Sequence, residues 1–491
     1  MPLRAKILHP AMTGSVVKKF ATASPAAVKE QPGDEPNDVL FSSNQGVRTI
    51  TLNRPKKLNS LDGSMCRKII PRLQEWSKSQ MANVVVIKGE GRAFCAGGDV
   101  SSLAANNKKG AEGQQVSKDF FKLEYGLDHM IATYGKPYVA FLDGITMGGG
   151  VGLSINAPFR IATENTVFAM PETTIGFFPD VGASFFLPRM DGELGMYLAL
   201  TSEQLKGVNV FYAGVATHYL HSSSLPDLEA RLAELEFKDY DSAEHRVRVV
   251  NDTIEEFCTG LPHDQPISAP VAGNVRKAID YCFHSNRQDV DACLKEVASF
   301  SEMNPEEPGA EEISKWAQKT LKTIKQRSPT SVKVTYRQLR NSKQWSIAET
   351  FVREHGMASR FMEHPDFVEG VTALLVDKPK RTPNWSPNEL NEVTEATVDE
   401  FFPSPDKIAM ELMVSGKGAD YAEPPYAHFL GLPTEKEIEG AIQHQGMTSK
   451  EQVVEAFVSK FNGKQGVAEK VNEVLERRTK EEGGRLVVDA A

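Results

Sequence analysis

A chain of 491 residues, 40% hydrophobic and 25% charged, has an ordinary globular composition and the length of about three domains. Its net charge of -9 excludes a global basic field for nucleic acid, so no direct DNA binding is expected. No apolar run approaches the roughly 18 residues of a membrane span, and none is expected. The first thirty residues carry Arg4, Lys6, Lys18, Lys19 and Lys29 before the first acid, Glu30. Basic, apolar and hydroxylated residues interleave there without a continuous apolar core, as in a mitochondrial transit peptide. "QPGDEPND" closes this leader as a linker, so residues 1–35 are set apart from the folded chain.

"GVRTITLNRP" then alternates like a strand, with Val47, Thr49 and Thr51 on one face. A helix is expected over Met65–Ser77, with Ile69, Leu73 and Trp76 at helical spacing. "NVVVIKG" and "PYVAFLDG" read as short buried strands. Strands separated by helices argue an α/β core over residues 38–240. From about residue 241 the pattern turns helical. "EHRVRVVNDTIEEFC", "DVDACLKEVASFS" and "GAEEISKWAQKTLKTIKQRSP" are amphipathic, the last ended by Pro329. This helical region runs to residue 400 and includes a basic, proline-rich stretch at Lys378–Glu389. Residues 401–491 form a helical extension, where Thr434 and Glu437 make a capping box. The five cysteines are odd in number and show no C-x-x-C spacing, which argues against a disulfide scaffold or zinc ribbon and suits a reducing compartment.

The densest local signal is "DGITMGGGVGLS", Asp143 to Ser154, with five glycines. It fits neither the G-x-G-x-x-G nor the P-loop spacing, and no lysine follows it. By itself it could serve tight helix–strand packing equally well. A second glycine loop, "GRAFCAGGDV", also leaves a buried strand and leads towards a helix. Two such turns can aim two backbone N–H groups at one developing oxyanion. "FAMPETTIGFFPDVGASFFLPR" adds Glu172 and Asp180 among apolar neighbours. Buried carboxyls of this kind have raised pKa values and can act near neutral pH. Glu172 after Pro171 is equally well read as a helix N-terminal acid.

Taken together, "LNRPKKLNSLD", "AFCAGGD", "GITMGGGVGLS" and "MPETTIGFFPDVG" resemble the crotonase, or enoyl-CoA hydratase/isomerase, superfamily in order and spacing. They are most similar to its 3-hydroxyisobutyryl-CoA hydrolase branch. "SPTSVKVTYRQLRNS" and "HPDFVEGVTALLVDKPKRTPNWSP" extend the likeness to about residue 400. The resemblance implies a spiral of ββα units with a helical C-terminal region. It also implies an acyl-CoA thioester substrate, with no metal and no cofactor beyond the coenzyme A of the substrate itself. Residue by residue, it makes Gly98 and Gly149 the oxyanion amides. Glu172 becomes the catalytic glutamate, Asp180 its accompanying acid and Glu124 a substrate contact. Lys56 and Lys57 would lie beside the coenzyme A phosphates.

The resemblance also bears on the reaction. A hydratase of this superfamily works with two glutamates, one of them at the position of Gly152, which cannot transfer a proton. Hydration is therefore disfavoured, and one carboxylate, Glu172, is expected at the thioester, where it attacks the carbonyl or activates water. Asp180 would hydrogen-bond the 3-hydroxyl or help position water. Two departures stand out: Ala183 and Ser184 replace further glycines and would narrow the pocket, and Asp143 stands where the branch often has histidine. Chains resembling this branch also serve as subunits of the mitochondrial ribosomal small subunit. The extension and the basic segment at Lys378–Arg381 would suit that docking. The expectation is a matrix hydrolase of 3-hydroxyisobutyryl-CoA in valine catabolism, with 3-hydroxypropionyl-CoA as a second substrate. Ribosomal small-subunit association is the alternative, and an enoyl-CoA hydratase the remote one.

Overall fold

Ten strands build two sheets in the first half of the chain: β1 (Val39–Asn44), β2 (Val47–Leu52), β3 (Val84–Gly89), β4 (Ala93–Cys95), β5 (Tyr138–Leu142), β6 (Ile145–Met147), β7 (Phe159–Ala162), β8 (Val167–Ala169), β9 (Leu205–Lys206) and β10 (His218–Tyr219). The computed structural model describes residues 28–262, 265–303, 309–416, 418–483 and 485–489. The transit-peptide expectation falls mainly on residues 1–27, outside the described residues. The larger sheet has the order β1-β2-β3-β5-β7-β10, the smaller β4-β6-β8-β9. All neighbours in the larger sheet are parallel except β1 and β2, a hairpin pairing Val39 with Leu52. The chain alternates between the sheets, so β3, β5 and β7 each feed β4, β6 and β8. Helices or helical turns follow β4, β6 and β8, which gives the expected ββα repetition.

β2 departs from simple alternation because it lies inside a sheet covered on both sides. Ile50 and Leu52 pack with Val85, Ile87 and Tyr138 against Ile69, Ile70 and Leu73 of the helix Gly63–Lys78. Val47 packs on the opposite face with Val84, Val86 and Phe159 against Leu228 and Leu232. Each such side chain stabilises the fold by about 1.5–3 kcal/mol on full burial. Thr49 is also buried there, its hydroxyl donating to Glu229 Oε1 at 2.6 Å.

The second half is helical from Ala243–Glu255 to Pro365–Val371. Pro329 does not end a helix as expected. The preceding helix stops at Lys325, and Pro329 opens the next, Pro329–Ser342, with Ser328 as its cap. The ring suits a first helical position, where no N–H partner is needed. The basic segment after Asp377 lies on the surface, with Lys378, Lys380 and Arg381 exposed, and is tied down at single points. Arg381 pairs with Glu369 and Asp377, and Trp385 donates to Gln326 O.

In the extension, Thr434 and Glu437 form the expected box at the start of Glu435–Gln445. Helices Lys450–Lys460 and Val467–Arg478 follow, but the chain ends in a hairpin, Thr479–Glu482 with Arg485–Val488, rather than in helix. These elements have their own apolar core around Ile438, Phe457, Val471 and Leu475. Buried ion pairs join them to the rest of the chain. Arg477 meets Asp280 at 3.2 Å and also pairs with Glu435, which in turn meets Arg276 at 3.1 Å. Lys470 meets Asp191 at 2.9 Å.

Candidate active site

The two glycine loops meet where β4 and β6 end. Residues 58–61 brace the first: Ala96 N–H donates to Leu58 O, Leu61 N–H to Gly97 O, and Asp99 N–H to Leu61 O. Asp99 caps the helix Val100–Asn107 and binds Arg54 and Lys57. The second loop turns at Gly148, whose φ of +45° favours glycine, into the short helix Gly149–Gly152. A Cβ on Gly149 would lie 3.3 Å from Gly98 N and 2.6 Å from Glu124 Oε1. Neither the Gly98 nor the Gly149 amide has a backbone acceptor among the described residues.

These amides line a cavity of about 420 Å³ with Glu124, Glu172 and Asp180. Glu172 lies in a 3-10 turn, Glu172–Ile175, directly after Pro171, so its place at a helical N-terminus and its place in the cavity are the same fact. Its Oε1 is 3.1 Å from where a Cβ on Gly148 would sit, and its Oε2 has no hydrogen-bond partner among the described residues. Burial, and then the neighbouring Asp180, push its carboxyl well above the usual range. Burial raises Asp180 to about 7, against a 2.6 Å hydrogen bond from the Tyr125 hydroxyl that lowers it. Burial, then Asp180, likewise raises Glu124. The three expected carboxyls therefore share the cavity, and burial works against the charged form of each.

Apart from Thr174 and Lys380, the remaining side chains of the lining are apolar. Phe121 stacks on Phe177 at 5.2 Å, and Phe177 packs edge-on to Phe361. Phe367, Leu374, Leu375 and Lys380 close the side supplied by the helical region.

Some expected residues lie elsewhere. Lys56 and Lys57 are exposed and do not line the cavity; Lys57 holds Asp99 at 3.2 Å, and the basic lining residue is Lys380. Ala183 and Ser184 do not narrow the pocket. They begin a short helix behind its wall, where Ser184 Oγ accepts from Gln338 at 2.8 Å. Asp143 also lies off the cavity and stitches a turn, accepting from Thr163 Oγ1 at 2.7 Å and Asn165 Nδ2 at 3.1 Å.

Four buried groups went unrecognised in the sequence: Tyr125, Asp128, Gln338 and Glu354. Three of them share a signal, a polar residue on the apolar stripe of a helix. Asp128 lies at helical spacing from Phe121, Glu124 and Ile131, and Glu354 from Ile347, Phe351, Ala358 and Phe361. Gln338 stands at the same spacing from the buried Val334, Thr335 and Ser342.

A two-sheet ββα scaffold presenting paired glycine amides and buried carboxyls to an apolar cavity defines a protein of the crotonase fold. Residues 47–402 match the Enoyl-CoA hydratase/isomerase family, and the chain belongs to it. Among solved structures, it is similar to a carnitinyl-CoA dehydratase from Mycobacterium thermoresistibile: TM-score 0.63, 32% identity, 76% of this chain and 98% of that one covered. Among characterised relatives, the small ribosomal subunit protein mS47 of Neurospora crassa is 54% identical over 97% of this chain and 91% of its own length. The mitochondrial 3-hydroxyisobutyryl-CoA hydrolase of Danio rerio is 41% identical over 77% of this chain and 92% of its own. Coverage of 97% takes in nearly all of the C-terminal extension, so this extension has a counterpart in the Neurospora protein.

Proposed function

We propose that this chain is a mitochondrial hydrolase of short 3-hydroxyacyl-CoA thioesters, with 3-hydroxyisobutyryl-CoA as the leading substrate. The observation that carries the reading is the juxtaposition, in one largely apolar cavity, of the Gly98 and Gly149 amides, which have no backbone acceptor among the described residues, with Glu172 Oε2, which has no hydrogen-bond partner among them. The thioester oxygen lies on the two N–H groups, which stabilise the charge that develops on it. Ionised Glu172 attacks the carbonyl carbon, the C–S bond breaks, and coenzyme A leaves as thiolate and takes up a proton. Water then hydrolyses the mixed anhydride, releasing the hydroxy acid and restoring the carboxylate. Asp180, oriented by Tyr125, receives the 3-hydroxyl, and Glu124 flanks the oxyanion site. Hydration is disfavoured because Gly152 brings no carboxyl to the substrate. Turnover of 3-hydroxyisobutyryl-, 3-hydroxypropionyl- and crotonyl-CoA by wild type and Glu172→Gln tests this reading.

A second role is compatible with the first: membership of the mitochondrial ribosomal small subunit. The match to Neurospora mS47 through the extension favours it. Sedimentation of mitochondrial lysate at high salt tests it. Co-migration with small subunits supports the role, and recovery only at the top of the gradient contradicts it.

A further inference from the structure

The loop that carries Asp180 is held from the far half of the chain. Glu354, on helix Ile347–Phe361, is fully buried, and its carboxylate accepts Gly182 N–H at 2.7 Å and Ser184 N–H at 2.8 Å. Gln338, on helix Pro329–Ser342, is also fully buried, and its Nε2 donates to Pro179 O at 2.7 Å and Ser184 Oγ at 2.8 Å. Asp180 thus sits between backbone groups clamped on both sides. The residue after it, Val181, has a φ of +54°, a conformation unfavourable for a β-branched side chain, so the loop needs outside bonds to keep its shape. Phe351, from the same helix as Glu354, packs near both Tyr125 and the Gly182 turn, so Asp180 and its Tyr125 partner rest on one surface.

We infer that Glu354 and Gln338 are positioning residues that fix Asp180 for the substrate's 3-hydroxyl and so set the preference for hydroxylated acyl chains. The inference rests on the proposed role of Asp180. A carboxylate suits the Glu354 position because both of its partners are N–H donors. Glutamine there would offer one acceptor and turn its own NH₂ towards the second donor. A buried donor left without a partner shifts the loop, and the loop shift reaches the substrate through Asp180. Burial raises Glu354 to about 8, opposed by the two N–H bonds.

The test compares binding and turnover. Affinities of non-hydrolysable thioether analogues of 3-hydroxyisobutyryl-CoA and isobutyryl-CoA are measured by calorimetry on wild type, Glu354→Gln, Gln338→Met and Asp180→Asn. Hydrolysis of the parent thioesters is followed in parallel. The expected result is that wild type prefers the hydroxylated analogue and that Glu354→Gln loses about tenfold of that preference. Gln338→Met should lose part of it, and Asp180→Asn most. Equal weakening towards both analogues, or no change, in folded Glu354→Gln would overturn the inference and leave a structural role. Wild type that discriminates in binding without hydrolysing either thioester would sink the hydrolase reading alone. Wild type that hydrolyses both thioesters without any preference would sink this inference together with the role proposed for Asp180, and leave thioester hydrolysis by Glu172 standing.

Discussion

Asp128 fills the space that a side chain at Gly152 would need. A Cβ built on the glycine would lie 2.5 Å from Asp128 Oδ2 and 2.8 Å from Val181 Cβ. Asp128 is fully buried, and neither carboxyl oxygen has a hydrogen-bond partner among the described residues. Burial, and then Glu124, push its carboxyl well above the usual range. The absence of a second catalytic carboxylate at residue 152 is therefore built into the packing as well as the sequence.

Gly152→Glu should accordingly not create a hydratase. The new side chain meets Asp128 at once, and overpacking with a second buried acid should cost about 3 kcal/mol or more. Urea denaturation reads the loss, and crotonyl-CoA hydration should stay at background. A variant as stable as wild type that hydrates crotonyl-CoA would show the space to be open.

The buried acids make stability depend on pH in an unusual direction. Asp180, raised to about 7, keeps its proton in the native state over a range where the unfolded chain has lost it. That contribution is complete at low pH and declines as pH rises from the ordinary carboxylate range to about 7. Glu124, Asp128 and Glu172 are shifted in the same direction. Glu255 and Glu435 behave oppositely: held down to about 2, they lose their stabilising charge as pH falls from the ordinary carboxylate range to that value. Melting temperature should therefore peak near pH 5 and fall towards pH 8. Asp128→Asn should flatten the alkaline fall, each tenfold change in proton affinity corresponding to about 1.4 kcal/mol.

Turnover should follow the opposite limb. Attack needs ionised Glu172, so kcat/KM should rise with pH through the neutral range. Asp180 is the largest charged contributor to the raised Glu172 pKa after burial. Asp180→Asn should move the rising limb to lower pH for isobutyryl-CoA, while reducing kcat/KM for the hydroxylated substrate about tenfold or more. An unmoved limb would separate Asp180 from the titration of Glu172.

Much of this site was legible in the sequence. Gly98, Gly149, Glu172, Asp180 and Glu124 do converge on one cavity, because glycine loops and a Pro-Glu turn announce themselves locally. What was hidden is what the fold brings from a distance. Glu354 lies 172 positions from Gly182, and Gln338 lies 159 from Pro179. Their helices advertise only an amphipathic pattern, and a polar residue on the buried stripe reads as an imperfection until its partner is known. Lys56 and Lys57, expected beside the coenzyme A phosphates, stay outside the lining of this cavity. Neighbouring lysines are visible in any sequence, but Lys57 turns to the cap residue Asp99 and not to the cavity.

The extension should behave as part of the fold and not as a detachable arm. Arg477 is almost fully buried between Asp280, Glu435 and Glu473. Arg477→Ala leaves Glu473 without its cation and Asp280 and Glu435 with Arg276 alone, and should destabilise the protein by about 3–5 kcal/mol. Urea denaturation measures it. A loss below about 1 kcal/mol would place the pair among weak surface contacts.

The most direct measurement is steady-state hydrolysis of 3-hydroxyisobutyryl-CoA beside crotonyl-CoA hydration, on wild type and Glu172→Gln. The account predicts hydrolysis by wild type and a kcat lower by about a thousandfold in the variant, with KM little changed, since the lost group acts mainly in the transition state. Hydrolysis unaffected by Glu172→Gln, or wild-type hydration of crotonyl-CoA that matches or exceeds hydrolysis, would contradict it.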